Sequence, residues 1–181
     1  LLIAGLILLL VLVNWGMKKP TPIALLFLAL CALNLKTKAA DVSDLTYDNN
    51  GEYITITDCN QDASGELIIP ETIEDLPVKR IDGGAFENCT NLDSVSMPKG
   101  LTRIGGTAFK KCVNLTNIII PDSITYIGSQ AFKGCASLIS VTIPESVTII
   151  ESQVFRECIN LTNINVDVDN ENYTDVNGIL F

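Results

Sequence analysis

A 23-residue repeat is the feature that most constrains the fold of this chain. Six columns of residues recur at this spacing through three or four consecutive copies. The columns are Phe86, Phe109, Phe132 and Phe155; Cys89, Cys112, Cys135 and Cys158; Leu92, Leu115, Leu138 and Leu161; Ile81, Ile104, Ile127 and Ile150; Val95, Ile118, Val141 and Ile164; and Pro98, Pro121 and Pro144. Such self-similarity indicates repeat units that bury their apolar sides only by stacking on one another.

One unit, starting at Ile118, shows how each part of the repeat should fold. The β-branched run before Pro121 favours a strand, and the proline, which lacks an N–H, ends it. Ile124 and Ile127 are three residues apart and are expected to point inward. The stretch 129–135 is long enough for one or two helical turns, with its alanine, phenylalanine and cysteine on one side.

Alternation along the strands before the prolines sorts their side chains between core and solvent. The residues expected to face the core are Val95, Met97, Ile118, Ile120, Val141, Ile143, Ile164 and Val166. The residues expected to face solvent are Ser94, Ser96, Asn117, Ile119, Ser140, Thr142, Asn163 and Asn165. We take this second set as the candidate binding face.

The pattern Ala-Phe-x-x-Cys-x-x-Leu-x-x-Ile-x-Ile-Pro resembles the BspA-like (Treponema pallidum type) leucine-rich repeats, over about residues 66–181. The resemblance implies an α/β leucine-rich-repeat solenoid, a curved right-handed coil of 23-residue units. A parallel β-sheet would form its concave face, and short helical turns would lie on the other side. It also implies an extracellular or cell-surface protein, mostly bacterial, that acts in binding and adhesion.

The repeats predict the organisation of the remaining chain. We expect an apolar upstream segment (1–16), a signal peptide (17–40), a β-rich N-terminal cap (41–65), leucine-rich repeats (66–166) and a linking or capping segment (167–181) that is truncated. The first repeat carries five extra residues around Glu74–Val78.

The leader hypothesis rests on Met17-Lys18-Lys19, the apolar run that follows and the small residues Ala39 and Ala40. Residues 1–16 are either upstream sequence from a misassigned start or the tail of a membrane helix, since Leu1 to Val13 is too short to span a bilayer. The chain is therefore expected to be exported, and to meet a membrane only through its leader or a missing anchor.

Charge and composition exclude several classes of function. The chain has no histidine, which removes Ser–His–Asp and Cys–His catalysis. Residues 41–181 hold eight basic and 21 acidic residues, a net charge of −13 that argues against nucleic-acid binding. No motif indicates a catalytic site, a cofactor or a metal site, and the acidic cluster Asp167–Asp175 lacks the spacing of a calcium loop. We expect a protein that is not an enzyme.

The cysteine column permits a disulfide interpretation or a packing interpretation. Packing is favoured, because every unit carries one cysteine at the same place and a disulfide demands specific geometry. Cys59 lies outside the column and has no obvious partner in the sequence.

Two functions remain open. The first is an exported or cell-surface binding and adhesion module that holds a protein or matrix ligand on the candidate face. The alternative is a structural spacer in a larger surface protein, with no ligand of its own.

Overall fold

A computed structural model describes residues 39–176 and 178–180. The predicted signal peptide and the upstream apolar segment lie outside these residues, apart from Ala39 and Ala40. The strands of the described residues are β1 (Leu45–Asn49), β2 (Ile54–Cys59), β3 (Gly65–Ile68), β4 (Thr72–Ile73), β5 (Leu76–Ile81), β6 (Leu92–Ser96), β7 (Arg103–Ile104), β8 (Asn117–Ile118), β9 (Tyr126–Ile127), β10 (Ser140–Ile143), β11 (Ile149–Ile150), β12 (Asn163–Val166), β13 (Asp175–Val176) and β14 (Ile179–Leu180).

Each repeat places two short strands in two separate parallel arrays. The strands before the prolines pair in the orders β3–β6–β8 and β10–β12. The strands at the Ile81 column pair in the order β2–β5–β7–β9–β11, and β1 adds to β2 in the antiparallel sense. The sequence predicted only the first array. In the later repeats the strands of the second array (β7, β9 and β11) have two residues each, and their outward positions do not repeat in type.

The core lies between these arrays and a third side made of turns. Phe86, Phe109 and Phe132 are fully buried and stack on one another, with ring centroids 4.8 and 5.3 Å apart. Phe155 continues the stack at 5.7 Å and is only partly buried. The stack joins consecutive rungs of the solenoid through one continuous aromatic column.

The prediction of helical turns on the third side is wrong. Among the described residues, the helical segment is a short 3₁₀ turn at Val42–Asp44, outside the repeats. In the first repeat, the N–H groups of residues 84, 86 and 88 donate to carbonyls of the next rung, and those of 85, 87 and 89 donate three residues back. An α-helix sends every N–H four residues back along its own chain, so this alternation replaces it.

Left-handed backbone at two positions per rung makes the alternation possible. The φ angle is positive at Gly84, Thr107, Gln130 and Gln153, and again at Asn88, Lys111, Gly134 and Glu157. The side chains in and beside this stretch still point inward as the sequence predicted: Ala131, Phe132 and Cys135 are all buried.

The five extra residues of the first repeat form a small hairpin. β4 pairs antiparallel with the start of β5 across Glu74 and Asp75, both of which have positive φ. Two consecutive left-handed residues are the signature of a type I′ turn. The Glu74 carboxylate accepts hydrogen bonds from Tyr47 and Asn49 of β1 and thereby ties this hairpin to the first strands.

Candidate binding faces

The pre-proline face, defined as the eight outward residues predicted above, is built by alternation along β6, β8, β10 and β12. Their inward neighbours Val95, Ile118 and Val141 are buried, with 2–4% of their surface exposed. Of the eight, Ser94 is half-buried and the other seven are exposed. Register places Ser94 beside Asn117, Ser140 beside Asn163, and Thr142 beside Asn165.

The pre-proline face is interrupted in its middle. β8 pairs with β6, and β10 pairs with β12, but β8 and β10 belong to different sheets. The structure therefore brings the predicted residues together as two groups, and Ile119 lies just beyond the end of β8, at the interruption.

An open groove of about 590 Å³ lies beside this interruption. It is lined by Met97, Lys99, Ile119, Ile120, Pro121, Asp122 and Ser123. Ile119 is 71% exposed, although Ile118 and Ile120 on either side are buried. Ile68, 62% exposed, occupies the corresponding position of β3, beside Ser96. Two exposed isoleucines among small polar residues form apolar anchors within a polar surface.

The second strand array has an outward face that sequence reasoning missed. Arg80 pairs in register with Arg103, Arg103 with Tyr126, and Tyr126 with Ile149. We call these four residues the arginine face. The sequence could have indicated this face, since each of the four residues directly precedes an isoleucine of the inward-facing column and alternation turns it outward.

Both arginines of this face are held against tyrosine rings. The Arg103 guanidinium carbon lies 3.6 Å from the centroid of the Tyr126 ring, and that of Arg80 lies 4.9 Å from the Tyr53 ring. The Tyr126 hydroxyl donates to the Glu151 carboxylate, which also accepts from the Ser129 N–H at 2.9 Å. The hydrogen bond from Tyr126, together with that from Ser129, lowers the pKa of Glu151.

The cysteine column is a packing feature in which each thiol also finds a hydrogen-bond acceptor. The thiols of Cys112, Cys135 and Cys158 contact carbonyl oxygens of the preceding rung at 3.0–3.1 Å. Burial raises the pKa of Cys135 to about 12, so this thiol remains protonated at neutral pH. A buried protonated thiol is unreactive.

Cys59 extends this column to β2. The Cys89 thiol lies 3.9 Å from the Cys59 carbonyl, and both side chains are buried. The pKa of Cys59 is raised mainly by a hydrogen bond between the two thiols and, to a lesser extent, by burial. The cysteine that had no evident partner in the sequence therefore packs beside Cys89, the first cysteine of the column.

Within residues 39–176 and 178–180, no group of three or more Cys, Asp or Glu side chains is arranged to hold a metal ion. In the same part of the chain, no helix has the length and apolar character needed to cross a membrane. Two of the acidic residues at the C-terminal end have structural roles: the Asp175 carboxylate accepts from the Val166 N–H, and that of Asp167 accepts from the Asp169 N–H.

Stacked rungs with a parallel strand array and a turn-lined back define a leucine-rich-repeat solenoid. The model of the BspA-type leucine-rich repeat region matches residues 63–177 in six copies. The chain therefore belongs to the BspA-type leucine-rich repeat family.

Solved structures agree with this assignment. A leucine-rich repeat protein from Treponema pallidum is 29% identical, with a TM-score of 0.56 over 70% of this chain and 71% of the other. One from Bacteroides capillosus is 25% identical, with a TM-score of 0.61 over 70% of this chain and 96% of the other.

A leucine-rich cell-surface protein from Faecalibacterium prausnitzii is 26% identical, with a TM-score of 0.54 over 78% of this chain. The match spans half of that longer protein. Among proteins with curated descriptions, none matches this chain.

Proposed function

We propose that this solenoid is the binding module of an exported, cell-surface protein, and that its pre-proline face holds a protein ligand. The observation that carries the proposal is Ile119, which is 71% exposed beside an open groove while both of its chain neighbours are buried. Membership of the BspA-type family and similarity to a leucine-rich cell-surface protein support the location.

The energetics favour Ile119 as an anchor. Fully burying an isoleucine contributes about 1.5–3 kcal/mol. The surrounding Asn117, Thr142 and Asn165 side chains can donate and accept hydrogen bonds, as the polar rim of an interface does. Lys99 and Asp122 add one charge of each sign at the groove, which favours a partner surface that also carries both signs.

The chemistry of the face favours a protein over a carbohydrate. Sugar rings are commonly held against exposed aromatic faces, and the eight residues of the pre-proline face include no aromatic side chain. An aliphatic anchor in a polar surround instead suits an apolar side chain of a protein partner.

Export would follow from removal of residues 17–40 or most of them. The Ala40 N–H donates to the Ser64 carbonyl at 2.9 Å, and the Ala40 side chain is buried. These contacts favour cleavage after Ala39 over cleavage after Ala40, although cleavage after Ala39 would also remove the residue that pairs with Ser64 in an isolated bridge. Mass spectrometry of the protein secreted by a bacterial host would test this, and a mature chain that begins well inside the repeats would contradict it.

The binding proposal is tested by charge reversal on the face. The full chain and its N117E, I119E and T142E variants would be passed over immobilised extracellular-matrix extract in surface plasmon resonance. Because Ile119 would become buried when the ligand binds, its replacement in I119E should make binding about 10–100-fold weaker. The matched control is I159E, because Ile159 is 79% exposed and lies outside the pre-proline face.

The spacer function makes the opposite prediction in the same experiment. A face of small polar residues also suits a segment that only separates other parts of a surface protein. Absence of binding by the wild-type chain, or equal weakening by I119E and I159E, would reject the binding face and favour the spacer.

A further inference from the structure

The arginine face carries an unusual combination of charge and order. Arg80 and Arg103 are exposed and paired in register on neighbouring strands, which are about 4.8 Å apart in a β-sheet. They are two of the eight basic residues in a region with 21 acidic ones. Two like charges side by side repel each other unless an anion lies between them.

Neither arginine forms a close ion pair, although the Arg103 charge reaches Glu151 and helps to lower the pKa of that carboxyl. Among the described residues, the ion pairs involve Lys110, Lys133 and Arg156, and no carboxylate oxygen lies within 4.0 Å of Arg80 or Arg103. Glu151, the carboxylate nearest in the hydrogen-bond network, already accepts from Tyr126 and Ser129. The Arg80 guanidinium therefore keeps its donors for an external acceptor, and Arg103 keeps those that are not directed toward the Tyr126 hydroxyl.

Tyrosine stacking prepares these donors for binding. A guanidinium that lies flat on a ring uses its face for the ring and leaves its in-plane N–H groups free for a carboxylate. The hydrogen bond to Glu151 fixes the Tyr126 ring and, through it, Arg103. Less side-chain freedom is then lost on binding than for a mobile surface arginine.

We propose that the arginine face binds an acidic peptide segment of a partner protein, whose carboxylates accept hydrogen bonds from Arg80 and Arg103. Charge complementarity selects the acidic partner. The guanidinium groups over the Tyr53 and Tyr126 rings occupy faces on which a sugar ring could otherwise stack, which favours a peptide over a carboxylated sugar. Ile149, 49% exposed and in register with Tyr126, offers an apolar contact suited to a peptide.

The test uses the full chain and a fluorescein-labelled oligoglutamate in fluorescence anisotropy. Binding should weaken as sodium chloride is raised, and the R80Q and R103Q variants should each bind about tenfold more weakly. R103K keeps the charge but loses the planar fork, so it should also weaken binding. The matched control is K111Q, because Lys111 is exposed on the turn side, whereas Arg156 is paired with Glu157. Circular dichroism would verify that each variant is folded.

Three results would overturn this proposal. The first is no binding of oligoglutamate, or binding that R80Q and R103Q leave unchanged. The second is equal, arginine-dependent binding of alginate, which would identify a carboxylated polysaccharide as the occupant. The third is arginine-dependent self-association in sedimentation velocity, which would identify a second copy of this acidic chain. All three are independent of the pre-proline face and of its ligand.

Discussion

Replacing Gly128 with alanine should disturb the contact between two rungs. A Cβ atom built at Gly128 would lie 2.4 Å from the Gly106 backbone nitrogen and 2.7 Å from the Gly105 carbonyl carbon. The backbone φ of Gly128 is outside the left-handed region, so alanine would be unstrained there in isolation. The predicted effect therefore comes from rung packing alone.

The size of the stability change in Gly128→Ala follows from two opposing effects on the free energy of unfolding. At an unstrained position, Gly→Ala stabilises a protein by about 0.4–1 kcal/mol, because the unfolded chain loses freedom. Overpacking against backbone that cannot rotate away costs about 1–3 kcal/mol, and the contact at Gly128 is at the severe end. We expect a net destabilisation of about 2 kcal/mol, which lowers Tm by about 4–8 °C in a domain of this size.

The fourth rung gives a natural comparison. Glu151 stands where Gly128 and Gly105 stand in the preceding rungs. The separation between Phe132 and Phe155 is 5.7 Å, the widest in the stack, against 4.8 Å between Phe86 and Phe109. A side chain at this position thus accompanies a wider rung spacing and a weaker aromatic contact.

Urea unfolding followed by circular dichroism would measure the effect, with Gly100→Ala as the matched control. Gly100 also has no positive φ, but its nearest neighbour is the flexible end of Lys79 at 3.2 Å, so alanine there should be neutral or slightly stabilising. Equal stability changes for the two variants would refute the claim that backbone contact sets the rung spacing.

Three further predictions test the packing of the repeats. Thr107 is β-branched and has a φ of 55°, so Thr107→Gly should raise the free energy of unfolding by about 1 kcal/mol in urea titration, and a lower value would contradict the strain. Phe109→Ala should cost about 3–5 kcal/mol and the half-buried Phe155→Ala about half as much; equal losses would argue against an aromatic stack that weakens at its last ring. Cys135 has a pKa of about 12 in the fold and an ordinary pKa of 9.0 when unfolded, so its protonated form stabilises the fold fully below pH 9 and less as the pH rises to 12. Over this range, the free energy of unfolding of Cys135→Ala should fall less steeply than that of the wild-type protein, by about 1.4 kcal/mol per pH unit. Identical slopes would contradict a buried neutral thiol.

The sequence was most informative where a residue type repeats. The Phe86 and Cys89 columns predicted a stacked core, and both residues are fully buried. Alternation on β6 and β10 separated inward from outward residues because the side-chain period of a strand is two.

The turn side could not be predicted from the same information. The stretch 129–135 has the spacing of a helix, but left-handed backbone at Gln130 and Gly134 turns alternate N–H groups toward the next rung. Of the eight left-handed positions on the turn side of the repeats, only two are glycines, so the residue types gave no sign of the conformation. Half of the hydrogen bonds that stabilise it are between rungs and exist only after stacking.

The arginine face was missed for a related reason. Arg80, Arg103, Tyr126 and Ile149 share one position in the repeat but no chemical type. A search for recurring residues passes over such a position, although positions that vary within a regular scaffold are where binding differences are placed.

Site-specific photocrosslinking tests the central claim, that the pre-proline face holds a protein ligand, most directly. A photoreactive phenylalanine would replace Ile119 in one variant and Ile159 in the other, since both residues are well exposed. A protein ligand on this face should give a discrete crosslinked protein from matrix extract at position 119 and none at position 159. Crosslinks of equal yield at both positions, or at position 159 alone, would contradict it.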